Sequence, residues 1–206
     1  MGFYSERIFP RLMDWSASDA RLNTLRTRAL APARGRVLEI GFGTGINLEH
    51  YPAAVVSIAA IDPNPGMTRL ARERAVRLAR EVEHHRGSAE KLPFDAASFD
   101  CVLRTLTLCS IPDVRAALSE VHRVLKPGGE FLFLEHGRHA SPNIRRWQDR
   151  IDPWWGKLLD GCHINRDISQ LVSDAGLHTT AIAHPQLPKA PSFAGYCYLG
   201  RAQRER

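Results

Sequence analysis

One stretch narrows the possible folds of this chain more than any other: Val37-Leu38-Glu39-Ile40-Gly41-Phe42-Gly43-Thr44-Gly45. A short β-rich run ends in three alternating glycines, which lets the backbone turn tightly and approach a ligand with no side chain between. A helix is expected next, with its free N–H groups turned toward a negative ligand group. Further β-rich runs follow at 55–61, ending in Asp62, at 99–103, and at 130–135 after the turn Pro127-Gly128-Gly129. Helical spacing predicts a helix over 64–80, with Asn64 as cap and Pro65 in first position, and another over 113–125, between Asp113 as cap and Pro127 as stop. Nearly continuous apolar strands alternating with helices predict a parallel α/β sheet with right-handed crossovers, a Rossmann-like architecture.

Glycine spacing says what the turn can hold. A dinucleotide fingerprint has its third glycine where Ile46 stands, and here that glycine comes one residue early, at Gly45. A nucleotide fits the turn better than a pyrophosphate does, which weakens the rival reading of an NAD-dependent oxidoreductase. Asp62, at the end of the second strand, can accept hydrogen bonds from two vicinal ribose hydroxyls. Pro63 and Pro65 stiffen the turn that follows.

The 206 residues fit one domain, and 28 Lys+Arg against 22 Asp+Glu leave a net charge of +6. That excess raises nucleic acid and anionic lipid as partners. Arg69, Arg72, Arg74, Arg77 and Arg80, however, interleave with apolar residues at helical spacing and read as the solvated flank of an amphipathic helix. No aromatic residues alternate with them to stack bases, so no nucleic-acid partner is expected, while peripheral contact with a membrane stays open. The longest apolar stretch, 53–61, is about half the roughly 20 residues a spanning helix needs. Cys101, Cys109, Cys162 and Cys197 form no C-x-x-C pair, which points to reduced thiols in a cytoplasmic protein, with Cys109 and Cys162 as small buried hydrophobes. His136-x-x-His139 has ligand-like spacing, but no acidic or cysteine partner stands with it, so no metal is expected.

Taken together, VLEIGFGTG, the IDPNP turn, GSAEKLPF at 87–94, FDCVLRTLTLCSIPD at 99–113 and EVHRVLKPGGEFLFLEHG at 120–137 resemble the class I S-adenosylmethionine-dependent methyltransferases. The resemblance implies a mostly parallel seven-stranded sheet with helices on both faces, S-adenosylmethionine as cofactor and S-adenosylhomocysteine as product. It places Gly41, Gly43 and Gly45 by the cofactor's methionine part, Asp62 at its ribose hydroxyls, Ser88 and Ala89 beside the adenine, and Thr105 and Leu106 at the methionyl end, with Glu39 and Pro63 also among the cofactor-binding residues. Many relatives carry Asp where this chain has Ser88. Within one domain, residues 1–34 would form a helical flap that folds Tyr4 over the cofactor, 35–136 the cofactor core, 137–166 a helical insertion, and 167–206 a C-terminal helix and strands.

Leu108-Cys109-Ser110, Glu135-His136, Trp147-Gln148, Asp152-Pro153, Asp160-Gly161-Cys162 and Asn165-Arg166 resemble more narrowly the alkyl thiol methyltransferases and their bacterial relatives. A small, apolar thiol is therefore the first choice of acceptor, with a phospholipid amine or a quinone carbon as alternatives. Methyl transfer draws much of its rate from proximity, so no dedicated triad is expected. His136, Asp160 and His163 are the candidates for handling the acceptor. Trp147, Trp154 and Trp155 either seal the core or line an apolar acceptor pocket. A monomer and a homodimer fit the sequence equally.

Overall fold

The computed structural model describes residues 19–159 and 161–205. Seven strands, β1 (Gly35–Ile40), β2 (Val55–Ile61), β3 (Val82–His85), β4 (Phe99–Thr105), β5 (Leu125–His136), β6 (Leu177–Ala183) and β7 (Cys197–Arg204), form one sheet in the order β3-β2-β1-β4-β5-β7-β6. Strands β1 to β5 run parallel, and β7 pairs antiparallel with both β5 and β6. The helices are α1 (Ala20–Leu30), α2 (Pro65–Arg77), α3 (Val114–Val124), α4 (Pro142–Leu158), α5 (Ile168–Asp174) and the single turn α6 (Ser192–Gly195). Among the described residues, no helix is long and apolar enough to cross a membrane.

Burial on both faces explains the apolar runs. Along β5, Phe131 and Phe133 enter one core layer with Leu118, Val121 and Val172, while Leu132 and Leu134 enter the opposite layer with Leu25, Leu30, Ala71 and Ala75. The predicted caps are present: Asn64 Oδ1 accepts from Gly66 N at 2.9 Å and Asp113 Oδ1 from Ala116 N at 3.0 Å. Strand β3 is an addition, because its sequence Val82-Glu83-His84-His85 carries one aliphatic residue and lies at the sheet edge.

Four expectations change. After Gly45 the chain makes one 3-10 turn, Ile46–Glu49, rather than an α-helix, because Asn47 and Leu48 turn into the interior. Helix α1 buries Leu22, Leu25, Ala29 and Leu30, so this part of the N-terminal segment is a core layer rather than a flap over the sheet edge. Tyr4, with the rest of 1–18, lies outside the described residues. Trp147 and Trp154 are 64% and 70% exposed on α4, so they neither seal the core nor line a pocket. Trp155 meets Phe193 edge-to-face at 5.7 Å. The basic run on α2 is partly tied down, since Arg74 Nη1 donates to the Thr44 carbonyl at 2.7 Å, while Arg69, Arg72 and Arg77 stay exposed.

Helix α4 is held to the sheet by the fully buried Gln148, whose Nε2 donates to the carbonyls of Gly137, Ile164 and Phe193 and whose Oε1 accepts from His139 N. Gln148→Leu keeps the volume and leaves those groups without partners, at about 1–3 kcal/mol for a buried orphan. Scanning calorimetry should show the midpoint lowered by roughly 5–10 °C.

Candidate active site

Strand order reverses between β1 and β4, and ligands bind such sheets at the carboxyl ends flanking that point. Gly41, at φ +73°, is where the two strand ends touch: a Cβ there would lie 2.3 Å from Thr107 Cγ2. Gly43, at φ +57°, faces open space, with nothing within 4 Å of a Cβ. Gly45 is also left-handed and opens the 3-10 turn. Asp62 Oδ2 accepts from Gly43 N at 2.9 Å and Oδ1 from Asn64 N at 2.8 Å. Burial raises its pKa against the pull of those N–H groups. Each oxygen keeps lone-pair capacity, so the carboxylate can still accept from two hydroxyls while holding the glycine turn. The open volume at Gly43 and this spare capacity fit a ribose-bearing cofactor. Pro63 is exposed beside Asp62. Ala89 is buried and Ser88 exposed, on a segment whose Gly87 packs against the end of β2, a Cβ there being 3.0 Å from Ile61 Cδ1.

Glu39 lies beneath the turn, buried. Its Oε1 accepts from Asn47 Nδ2 at 2.7 Å and its Oε2 from the Tyr51 hydroxyl at 2.6 Å, and Asn47 also donates to Thr105 Oγ1 at 2.9 Å. Arg26 of α1 joins this network through Asn47 Oδ1 at 3.0 Å and Thr105 Oγ1 at 3.3 Å. Glu39 therefore ties the turn after β1 to the end of β4 from below. Desolvation pushes its pKa up to about 7 from 4.5, against the lowering hydrogen bonds of Tyr51 and Asn47. A folded-state pKa above the unfolded one gives stability that is full below about 4.5 and lost as pH rises through about 7. Wild-type stability minus that of Glu39→Gln should thus fall by about 3 kcal/mol between pH 4.5 and 8. Urea unfolding at several pH values checks the difference.

Beyond β4 the backbone is strained: Leu106 takes φ +53°, with its N–H donating to Leu134 O at 2.8 Å. The Glu135 carboxylate, fully buried, holds the next turn by accepting from Thr107 N at 2.9 Å and Leu108 N at 3.0 Å. Burial pushes its pKa up to about 7. Arg104, buried beside it, is pushed down to about 10 by desolvation, which Glu135 opposes.

That turn delivers Cys109 to His136, the last residue of β5. Residues 161–166 bring Cys162 to the same point, with His163 N donating to Cys109 O at 2.9 Å and Arg166 Nη1 to Leu108 O. His136 Nε2 lies 3.4 Å from Cys162 Sγ, and the ligand atoms of Cys109, His136 and Cys162 all lie within 4.8 Å of one another. A hydrogen bond from Cys162, with His136 beside it, holds the Cys109 thiol well below its ordinary pKa despite burial. Burial opposes a charge on His136, but Cys109 outweighs it and the imidazole pKa is raised. The expectation that His136 has no cysteine partner is therefore overturned by the fold, which supplies two. His139 stays apart, its Nδ1 accepting from Ser141 N.

His163 also reaches this edge, but its carboxylate is Asp152, with His163 Nδ1 2.7 Å from Asp152 Oδ2. Asp152 Oδ1 accepts from Ile164 N at 2.8 Å, which fixes the pair. Asp160 lies outside the described residues. Asp152, Cys109, Cys162 and Glu135 were not identified as site residues by sequence reasoning. The Cys109, Glu135-His136 and Asp-Gly-Cys segments carried the signal, but only the fold superposes them.

A methyltransferase domain family matches residues 38–133. Human thiol S-methyltransferase TMT1A is 35% identical over 172 residues, spanning 78% of this chain and 69% of the relative. The Brucella anthropi ubiquinone/menaquinone biosynthesis C-methyltransferase UbiE is 35% identical over 133 residues, 60% of this chain and 51% of its own length. The chain therefore spans about two thirds of the first relative and about half of the second. In structure, the N-methyltransferase NodS of Bradyrhizobium japonicum, solved with S-adenosyl-L-homocysteine, superposes with a TM-score of 0.70 at 20% identity, covering 93% of this chain and 92% of NodS.

Proposed function

The chain belongs to the class I S-adenosylmethionine-dependent methyltransferases, and from that premise we propose that it methylates the sulfur of a small, apolar thiol. The observation that carries this reading is the reach of the likeness to the human thiol S-methyltransferase, which takes in 78% of this chain against the 60% shared with the quinone enzyme.

Gly41, Gly43 and Gly45 would pass the cofactor's methionine part, Asp62 and Pro63 its ribose, Ser88 and Ala89 its adenine, and the backbone of Thr105 and Leu106 its methionyl end. When bound, S-adenosylmethionine supplies an electrophilic methyl group on a sulfonium. The acceptor would enter beside His136 at the β4 and β5 ends, within reach of the loop that Gly41 and Thr107 join. His163, oriented by Asp152 and 40% exposed at its side chain, is placed to take the proton the thiol releases. Asp160 precedes the segment that holds Cys162 and His163 and is proposed to act with them.

A lipid amine is the second reading, favoured by the exposed Trp147, Trp154 and Leu158 on α4 with Arg146, Arg150 and Lys157 nearby, a combination suited to a membrane interface. S-Adenosylhomocysteine formation should be followed with aliphatic and aromatic thiols, with phosphatidylethanolamine vesicles, and with a reduced demethylated quinone. Turnover on free thiols alone is the expected result; turnover on vesicles or quinone alone would replace it.

A further inference from the structure

We propose that Cys109, His136 and Cys162 are the protein ligands of a zinc ion whose fourth position takes the sulfur of the acceptor thiol. The donor set is two sulfurs and one imidazole, the Cys2His combination of catalytic zinc sites that keep one position open. A tetrahedral zinc with thiolates at about 2.3 Å and imidazole at about 2.0 Å separates its ligand atoms by roughly 3.5–3.8 Å. His136 Nε2 and Cys162 Sγ already stand 3.4 Å apart, and all three ligand atoms lie within 4.8 Å of one another, so closing the site needs only small side-chain movements.

Each ligand-bearing segment is fixed by its neighbours. Glu135 holds the backbone ahead of Cys109, His163 N ties the Cys162 segment to the Cys109 carbonyl, and Arg166 reaches the Leu108 carbonyl. His136 is fixed by the pairing of its residue with Cys197 on β7. Such backbone and second-layer ties are what orient metal ligands. The cluster sits at the β4 and β5 carboxyl ends, just past the turn where Thr107 meets Gly41, and so beside the proposed cofactor site.

The inference rests on the thiol reading and deepens it. On reaching the metal the thiol loses its proton, which His163 is placed to accept. Its sulfur lone pair then forms the bond to the methyl carbon as the methyl–sulfonium bond breaks, that electron pair remaining on the departing cofactor sulfur. The product thioether carries no thiolate charge to hold it on the metal, so it leaves.

The full chain, produced without an affinity tag that binds metals, should carry one zinc by elemental analysis. Replaced by Co2+, it should show the thiolate-to-cobalt charge-transfer band and strong visible bands of a tetrahedral site. Cys109→Ser and Cys162→Ser should lose the charge-transfer intensity stepwise while Cys101→Ser keeps it, with circular dichroism confirming folding. Adding an apolar thiol to the wild-type cobalt form should shift the bands. No zinc or cobalt uptake by wild-type protein that still methylates thiols would overturn the metal site and leave the thiol reading intact. Metal uptake with no band shift and no thiol turnover would instead overturn the thiol reading and with it the fourth position. A Cys109–Cys162 disulfide in the active protein would overturn the site as well.

Discussion

Replacing Asp62 with alanine is expected to weaken S-adenosylhomocysteine binding by about two to four orders of magnitude, because two hydrogen bonds from ribose hydroxyls to a carboxylate are lost at about 1.5–3 kcal/mol each. The same carboxylate holds the glycine turn through Gly43 N and Asn64 N, so part of the loss is preorganisation of that turn. Asp62→Asn retains one acceptor and should fall between wild type and alanine. Titration calorimetry reads all three. Since burial raises the Asp62 pKa, wild-type affinity should begin to decline with falling pH before an ordinary aspartate would protonate. An alanine variant that binds within threefold of wild type would remove Asp62 from the cofactor site.

Gly41 and Gly43 should separate structure from binding. At Gly41 a valine meets both a left-handed backbone and Thr107, whose Cγ2 would lie 2.3 Å from the new Cβ. Backbone strain and overpacking together should cost about 4 kcal/mol and push apart the loops after β1 and β4. Gly41→Val should therefore lose both thermal stability and cofactor binding. At Gly43 an alanine finds open space and pays only the left-handed penalty, about 1–2 kcal/mol. Its methyl group, however, enters the volume the cofactor would fill, so Gly43→Ala should stay folded and bind at least about tenfold more weakly, a loss of about 1.4 kcal/mol. Equal stability losses at the two positions, with cofactor affinity retained at Gly43, would contradict the placement of the cofactor.

The sheet was legible where both faces of a strand are buried, since β1, β2, β4 and β5 read as near-continuous apolar runs. Strand β3 was not, because an edge strand of Glu and His carries no such pattern. The missing helix after Gly45 has the same kind of cause: Asn47 is drawn inward by Glu39 and Thr105, a tertiary demand that local spacing does not display. Asp62 and the glycines are near neighbours in both sequence and space, so their contact was readable from spacing alone. The cluster of Cys109, His136 and Cys162 joins three distant segments, and the buried Asp152 beside His163 comes from a fourth. Such convergences depend on how the chain after β5 folds back, held by Gln148 and Arg166, and no periodicity encodes that. Trp147 and Trp154 misled because tryptophan is usually buried, whereas α4 turns these two outward.

The most direct test of the central claim is product identity. Protein is incubated with an apolar thiol and S-adenosylmethionine whose methyl group is deuterated, and the products are weighed by mass spectrometry. A thioether carrying all three deuterons, formed in one-to-one ratio with S-adenosylhomocysteine, is the predicted result. A thiol left unlabelled, with the label transferred instead to a lipid amine or a quinone carbon when those acceptors are supplied alongside it, would contradict it.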